Sequence, residues 1–203
     1  MRSRASQQRH WRRQSRAILL AGATLALSGC GDEETSSGFI GQPIELSVTI
    51  NEVFALNNDP GVPLSNHITD ASGEFAPWIE LYNAGDEDAH LGGYWMSNDS
   101  RHPKAKLPDE VVVPAGGFFL LWADGDTAET DGDDIHLGFD LGSTRGDTVV
   151  LFDFEKKWLD QMWAAGPLPG ETPEAWARCP DGTGTPTNTG MPTPRKTNES
   201  SCL

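Results

Sequence analysis

The feature that most constrains this chain is its punctuation. Between residues 44 and 180, short apolar runs are cut off every 8 to 15 residues by glycine, proline, asparagine or aspartate. The chain carries 22 Gly and 14 Pro among 203 residues. Proline removes a helical donor and glycine weakens a helix interior, so a helical bundle is excluded. The glycines have no period of three, which excludes a collagen-like repeat. Seven Trp and eight Phe exclude a wholly disordered chain. What remains is a succession of short strands, hence an all-β sandwich or barrel.

The strands are legible one by one. Ile44 to Leu56 alternates in part, with Ile44, Leu46, Val48 and Ile50 on one face. Trp78 to Asn83 sets Ile79 and Leu81 opposite Trp78, Glu80 and Tyr82. Leu91 to Met96, Val111 to Val113, Phe118 to Trp122, Ile135 to Leu141, Thr148 to Phe154, Trp158 to Trp163 and Ala175 to Cys179 follow. Phe118 to Trp122 is apolar throughout, as expected of a strand covered on both faces. Glu155 to Lys157 is expected at a hairpin tip. Residues 57 to 77 and 97 to 110 are expected to be loops, and the tail from Thr183 to Leu203 shows no pattern. Trp78, Trp95 and Trp122 are expected in the core. Glu80 is expected to satisfy backbone donors or a loop, and Asn83 to stabilise its turn.

The N-terminus reads as an address. Residues 1 to 29 contain six Arg and no acid. An 11-residue apolar stretch, Ala17 to Leu27, follows the basic region; it is too short to span a bilayer, which needs about 20 residues. Leu27-Ser28-Gly29-Cys30 resembles the lipobox of bacterial lipoproteins. That resemblance implies cleavage before Cys30, a diacylglyceryl group on its thiol and acylation of the new amino group. Two or more acyl chains hold a protein stably at a bilayer. Arg12-Arg13 is followed by residues that fit a twin-arginine signal poorly, so general secretion is expected. Residues 30 to 43 then form an acidic, Gly/Ser-bearing tether. The expected location is the bacterial cell envelope, with the outer membrane favoured.

Beyond that leader the charge is one-sided. Residues 30 to 203 hold nine basic residues against 30 acidic ones, a net charge of −21. Such a body repels phosphate backbones, so nucleic acid is excluded as an expected partner.

Several phrases in order resemble the lamin tail domain, an immunoglobulin-like β-sandwich. They are Ile50-Asn51-Glu52-Val53, Trp78-Ile79-Glu80-Leu81-Tyr82-Asn83, Leu91-Gly92-Gly93-Tyr94-Trp95 and Val113-Pro114-Ala115-Gly116-Gly117. Leu121 to Gly125, Ile135 to Leu141 and Gly146 to Leu151 continue the series. Pro180-Asp181-Gly182-Thr183-Gly184, Thr193-Pro194 and Asn198 close it. Two features depart from the pattern: the long 57 to 77 insertion, and Glu155-Lys156-Lys157 in place of an Asp/Gly turn. The resemblance implies an immunoglobulin-like sandwich over residues 44 to 203, acting as a non-catalytic interaction or scaffolding module. It implies no catalytic residue and no cofactor. The expected partners are a membrane, through the lipid, and a protein or polysaccharide, met through the 57 to 77, 97 to 110 or 124 to 134 segments.

Two local chemistries stand outside the resemblance. Asp124, Asp126, Glu129, Asp131, Asp133 and Asp134 lie within eleven residues. Their composition suits Ca²⁺, which takes 6 to 8 oxygen ligands, although the spacing is not that of an EF-hand. Asp124, Asp126, Asp131, Asp133 and Asp134 are therefore calcium candidates. They support an alternative reading, a calcium-dependent or carbohydrate-active envelope protein. His67, His90, His102 and His136 share no metal-ligand spacing, and a structural role is expected for His136. No Gly-x-Ser-x-Gly turn, P-loop or dinucleotide fingerprint occurs. Cys179 and Cys202 are expected to pair in an oxidising compartment and tie the tail to the last strand; two free thiols or an intermolecular pair are the alternatives.

Overall fold

The computed structural model describes residues 47–57, 67–142, 146–166 and 174–200. The leader, Cys30, the tether, Ile44, Leu46, most of the first half of the 57 to 77 segment and Cys202 lie outside the described residues. Twelve strands are described: β1 Val48–Phe54, β2 Trp78–Asn83, β3 Ala89–His90, β4 Trp95–Ser97, β5 Ala105–Lys106, β6 Val112–Val113, β7 Phe118–Trp122, β8 Ile135–His136, β9 Asp147–Phe152, β10 Trp158–Ala164, β11 Ala175–Cys179 and β12 Thr185–Thr189. They form a six-stranded sheet in the order β12-β11-β1-β2-β7-β8, a four-stranded sheet β10-β9-β4-β5 and a small pair β3-β6. All pairings are antiparallel except β7 with β8.

The two larger sheets enclose one core. Val48, Ile50, Val53, Ile79, Leu81 and Leu121 come from the first; Met96, Val149, Leu151, Met162 and Ala164 come from the second. Two bulges explain why the sequence alternation slips. β1 is bulged between Ile50 and Glu52, so Val53, rather than Glu52, returns to the core after Ile50. β10 is bulged between Trp158 and Asp160, and Leu159 faces the core on one side of it, Met162 and Ala164 on the other. The bulges meet. The Ile50 amide donates to Asp160 Oδ2 at 2.9 Å, and Arg178 donates from Nε to the Ile50 carbonyl and from Nη2 to Asp160 Oδ1, both at 2.8 Å. This charged clip joins β1 and β11 of one sheet to β10 of the other.

β2, β7 and β11 occupy the predicted spans. β4 begins later than the alternation of Leu91 to Met96 suggests, because Gly93 sits at φ +87° and the Tyr94 amide donates to the Leu91 carbonyl, closing a turn. β8 has only two residues, yet Ile135, Leu137, Phe139 and Leu141 all reach the core as their alternation predicts; past His136 the backbone leaves the ladder as isolated bonds to Trp122 and Ala123. β5 lies within the expected 97 to 110 loop, and β12 lies within the tail that shows no pattern. At the β9–β10 tip, Asp153 Oδ1 accepts from the Glu155 and Lys157 amides, which supplies the turn chemistry that Glu155-Lys156-Lys157 lacks.

Candidate functional site

A strand alternates faces, so every core residue of a sandwich has an outward neighbour. On the six-stranded sheet the outward neighbours are unusually large or charged. Cross-strand register sets Phe54 beside Trp78, Trp78 beside Trp122, and Trp122 beside His136. This row runs across β1, β2, β7 and β8. Trp78 and Trp122 are buried as expected, but in this outer layer rather than between the sheets. They form a second apolar cluster with Phe54, Ala76, Leu120 and Ala175, against which Ile68 packs. The cover is the 67 to 77 segment. Its base is clamped by buried Asn57, whose Nδ2 donates to the Ile68 and Ala76 carbonyls at 2.8 Å each.

The row ends in a carboxylate cluster. His136 is buried and stacks on Trp122 at a centroid distance of 6.2 Å. Thr130 fixes its backbone by accepting from the His136 amide at 2.9 Å. The ring Nδ1 lies 2.8 Å from Asp124 Oδ2 and 3.9 Å from Glu129 Oε2, while Nε2 lies 3.6 Å from Asp134 Oδ2. Asp134 is itself held by the Trp122 indole N–H at 2.6 Å and the Ala71 amide at 3.0 Å. Asp70 joins from the covering segment: one ligand atom each from Asp70, Asp124, Glu129 and His136 lie within 4.8 Å of one another.

The cluster's charge is reflected in its acids. Burial raises the Glu129 pKa above the ordinary carboxyl value, and repulsion from Glu74 and Asp126 adds to the rise. Burial also opposes ionisation of Asp70, but the Glu74 amide, the Ser72 hydroxyl, the Gly73 amide and nearby His136 outweigh it and lower its pKa.

The calcium candidates therefore do not converge as a single set. Asp124 and Asp134 face opposite nitrogens of His136. Asp126 turns away to accept from the Ala128 amide at the start of a 3₁₀ turn, Thr127–Glu129. Asp131 pairs through its backbone with Asp134. Asp133 lines a cavity of about 310 Å³ with Asp70, Asp134 and Arg195. Asp70 and His136 are absent from the sequence-level set. Asp70 stands 54 residues before Asp124 in the chain, so no local spacing signals it.

The same outer face carries Glu52 and Glu80, paired across β1 and β2 and both inaccessible. The tail covers them. Glu52 accepts from the Thr193 amide and hydroxyl; Glu80 accepts from the Arg195 amide and from Asn51 Nδ2. Asn51 and Asn198 complete the network through Asp181, Gly182 and Arg178. Burial pushes both glutamates up from 4.5 to about 8, partly offset by the Thr193 bonds at Glu52 and the Arg195 amide at Glu80. Glu80 thus serves backbone donors, as expected of it. Asn83 bonds the Gly85 amide and the Glu87 and Val113 carbonyls around its turn.

The outer face of the four-stranded sheet is closed over β9, where Val150 and Phe152 are buried, and open along β10. Since Met96, Leu151 and Met162 point inward, Trp95, Phe152, Trp158 and Trp163 point outward. Trp95 and Trp158 flank Phe152 in register. Trp158 is 50%, Trp163 51% and neighbouring Phe154 65% exposed. Trp95 is therefore not a core residue, contrary to expectation: β4 begins one residue out of phase with it. It is half-buried, with Lys156 Nζ 4.3 Å over its ring.

Two stacked, mostly antiparallel sheets around one apolar core define an all-β, immunoglobulin-like sandwich. The lamin tail domain model matches residues 45–163, and the chain belongs to the lamin tail domain family, whose members are non-catalytic immunoglobulin-like domains. The match ends within β10, so β11, β12 and the glutamate-binding tail lie beyond it. No curated protein matches the chain.

Proposed function

We propose that this chain is a lipoprotein of the bacterial cell envelope, anchored through acylated Cys30 and displaying its lamin tail domain as an interaction module. The observation that carries the interaction reading is the outer face of the four-stranded sheet. Trp158 and Trp163 project there with about half of their surface in water. Two half-exposed tryptophans on one strand of an otherwise strongly acidic domain favour a partner that removes them from solvent. The partner is a protein or polysaccharide of the envelope, met away from the lipid by the acidic tether.

A Cys179–Cys202 bridge belongs to the same proposal. The Cys179 sulfur lies 3.8 Å from the Asn198 carbonyl oxygen, four residues before Cys202, so the tail already returns to β11. Export would supply the oxidising compartment.

Two experiments test the proposal. In cells fed an alkyne-bearing palmitate, the chain takes up label and fractionates with membranes, while Cys30→Ser loses both properties; labelling of the Cys30→Ser chain contradicts the anchor. A photocrosslinking amino acid placed at position 158 or 163 captures discrete envelope adducts. Adducts only from positions in the 97 to 110 segment would move the contact surface elsewhere.

A further inference from the structure

We propose that Asp70, Asp124, Glu129 and His136 form a binding site for one divalent first-row metal ion, of the zinc or manganese class rather than calcium. The set offers one imidazole nitrogen and three carboxylates. Imidazole suits zinc and its neighbours, whereas calcium prefers all-oxygen coordination.

Three observations support the site beyond its acidity. The first is Asp70, a residue only 7% exposed. Its Oδ1 accepts from the Ser72 hydroxyl at 2.8 Å and the Glu74 amide at 2.9 Å. Its Oδ2 is buried with no hydrogen-bond partner. A buried carboxylate oxygen without a donor is costly, and an ion bound among the four ligands would satisfy it. The second is scale. Bonds of about 2.0–2.2 Å to a tetrahedral ion put neighbouring ligand atoms about 3.3–3.6 Å apart. The 2.8 Å and 3.9 Å separations from His136 Nδ1 to Asp124 and Glu129 straddle that distance, and the whole set falls within 4.8 Å. The third is support for the imidazole. Asp134 stands 3.6 Å behind the opposite nitrogen, Nε2, and is held by the Trp122 indole and the Ala71 amide. A carboxylate behind a ligating histidine orients the ring and strengthens it as a donor.

In the bound state Nδ1 would face the metal and Nε2 would face Asp134. The ion would pin the 67 to 77 segment, through Asp70, to the loop between β7 and β8. Glu129, one-third exposed, marks the side open to solvent.

Zn²⁺ is the probe, titrated calorimetrically into the chelator-treated full chain. One equivalent is expected to bind. Glu129→Gln is expected to weaken binding at least tenfold without changing the metal-free melting temperature, because that side chain is the most exposed ligand. Asp70→Asn is expected to weaken it at least as much; should that variant fold poorly, Glu129→Gln decides. Absence of Zn²⁺ binding, or unchanged affinity in Glu129→Gln, overturns the site. So does equally tight Ca²⁺ binding that survives the substitution, which would assign the cation to the other loop carboxylates.

Discussion

The two outer faces of this sandwich carry similar side chains, but one is sealed across its width and the other is open along one edge strand. On the six-stranded sheet, Phe54, Trp78 and Trp122 line up across three strands and are sealed from water. On the four-stranded sheet, Trp95, Phe152 and Trp158 line up across three strands; Phe152 is buried beneath its neighbours, Trp95 is half-buried and Trp158 stands half in water. The difference lies in what the chain lays over each face. The 67 to 77 segment and the 181 to 198 tail return to the first, bringing Ile68, Ala76, Thr193 and Arg195 as cover. Burial of an outward residue is therefore decided by distant segments, while its orientation is decided locally by the pleat.

The largest effect should come from the covered row. Trp78→Ala is expected to cost about 3–5 kcal/mol, as for other large buried aromatics, measured by urea denaturation. A loss below about 1 kcal/mol would mean that the 67 to 77 cover is ineffective. Glu80→Ala comes next. It removes the acceptor of the Arg195 amide and one of the two acceptors of Asn51 Nδ2, a loss of about 1–3 kcal/mol, and should loosen the tail, seen as faster amide exchange at residues 193 to 198.

The buried glutamates also set a pH dependence. Both have folded-state pKa values raised from 4.5 to about 8, with Asp181 as a further repulsive neighbour. The folded protein keeps protons that the unfolded chain releases. Their stabilising contribution is present in full below about pH 4.5 and is lost as pH rises towards 8, with a slope of up to ~1.4 kcal/mol per pH unit for each proton. Glu80→Gln, neutral throughout, should flatten stability across that window; an unchanged slope would mean that the two carboxyls are solvated. The smallest effect belongs to the open edge along β10, where Trp158→Ala and Trp163→Ala should each change stability by no more than about 0.5 kcal/mol while removing the crosslinked adducts.

Much of the fold is legible from residue order, for reasons that differ by element. β2 and β7 are compact runs of β-formers bounded by turn residues, and their spans follow directly. β1 is harder, because the bulge at Asn51 reverses its phase between Ile50 and Val53. β12 is invisible: Thr185 to Thr189 lacks any apolar alternation and exists because β11 offers it an edge. Trp95 misleads because indole size favours burial while register with Phe152 turns it outward. At the carboxylate cluster, Asp124 and Glu129 are conspicuous in the acidic loop. Asp70 is not, since only the packing of the 67 to 77 segment over Trp122 brings it there, and His136 has no ligand-spaced neighbour in the chain.

Hydroxyl-radical footprinting of the full chain, read tryptophan by tryptophan, tests the contrast between the two faces most directly. Trp158 and Trp163 should oxidise fast, Trp95 at an intermediate rate, and Trp78 and Trp122 only when the domain unfolds. Comparable oxidation of Trp78 and Trp158 in the native protein would contradict the account.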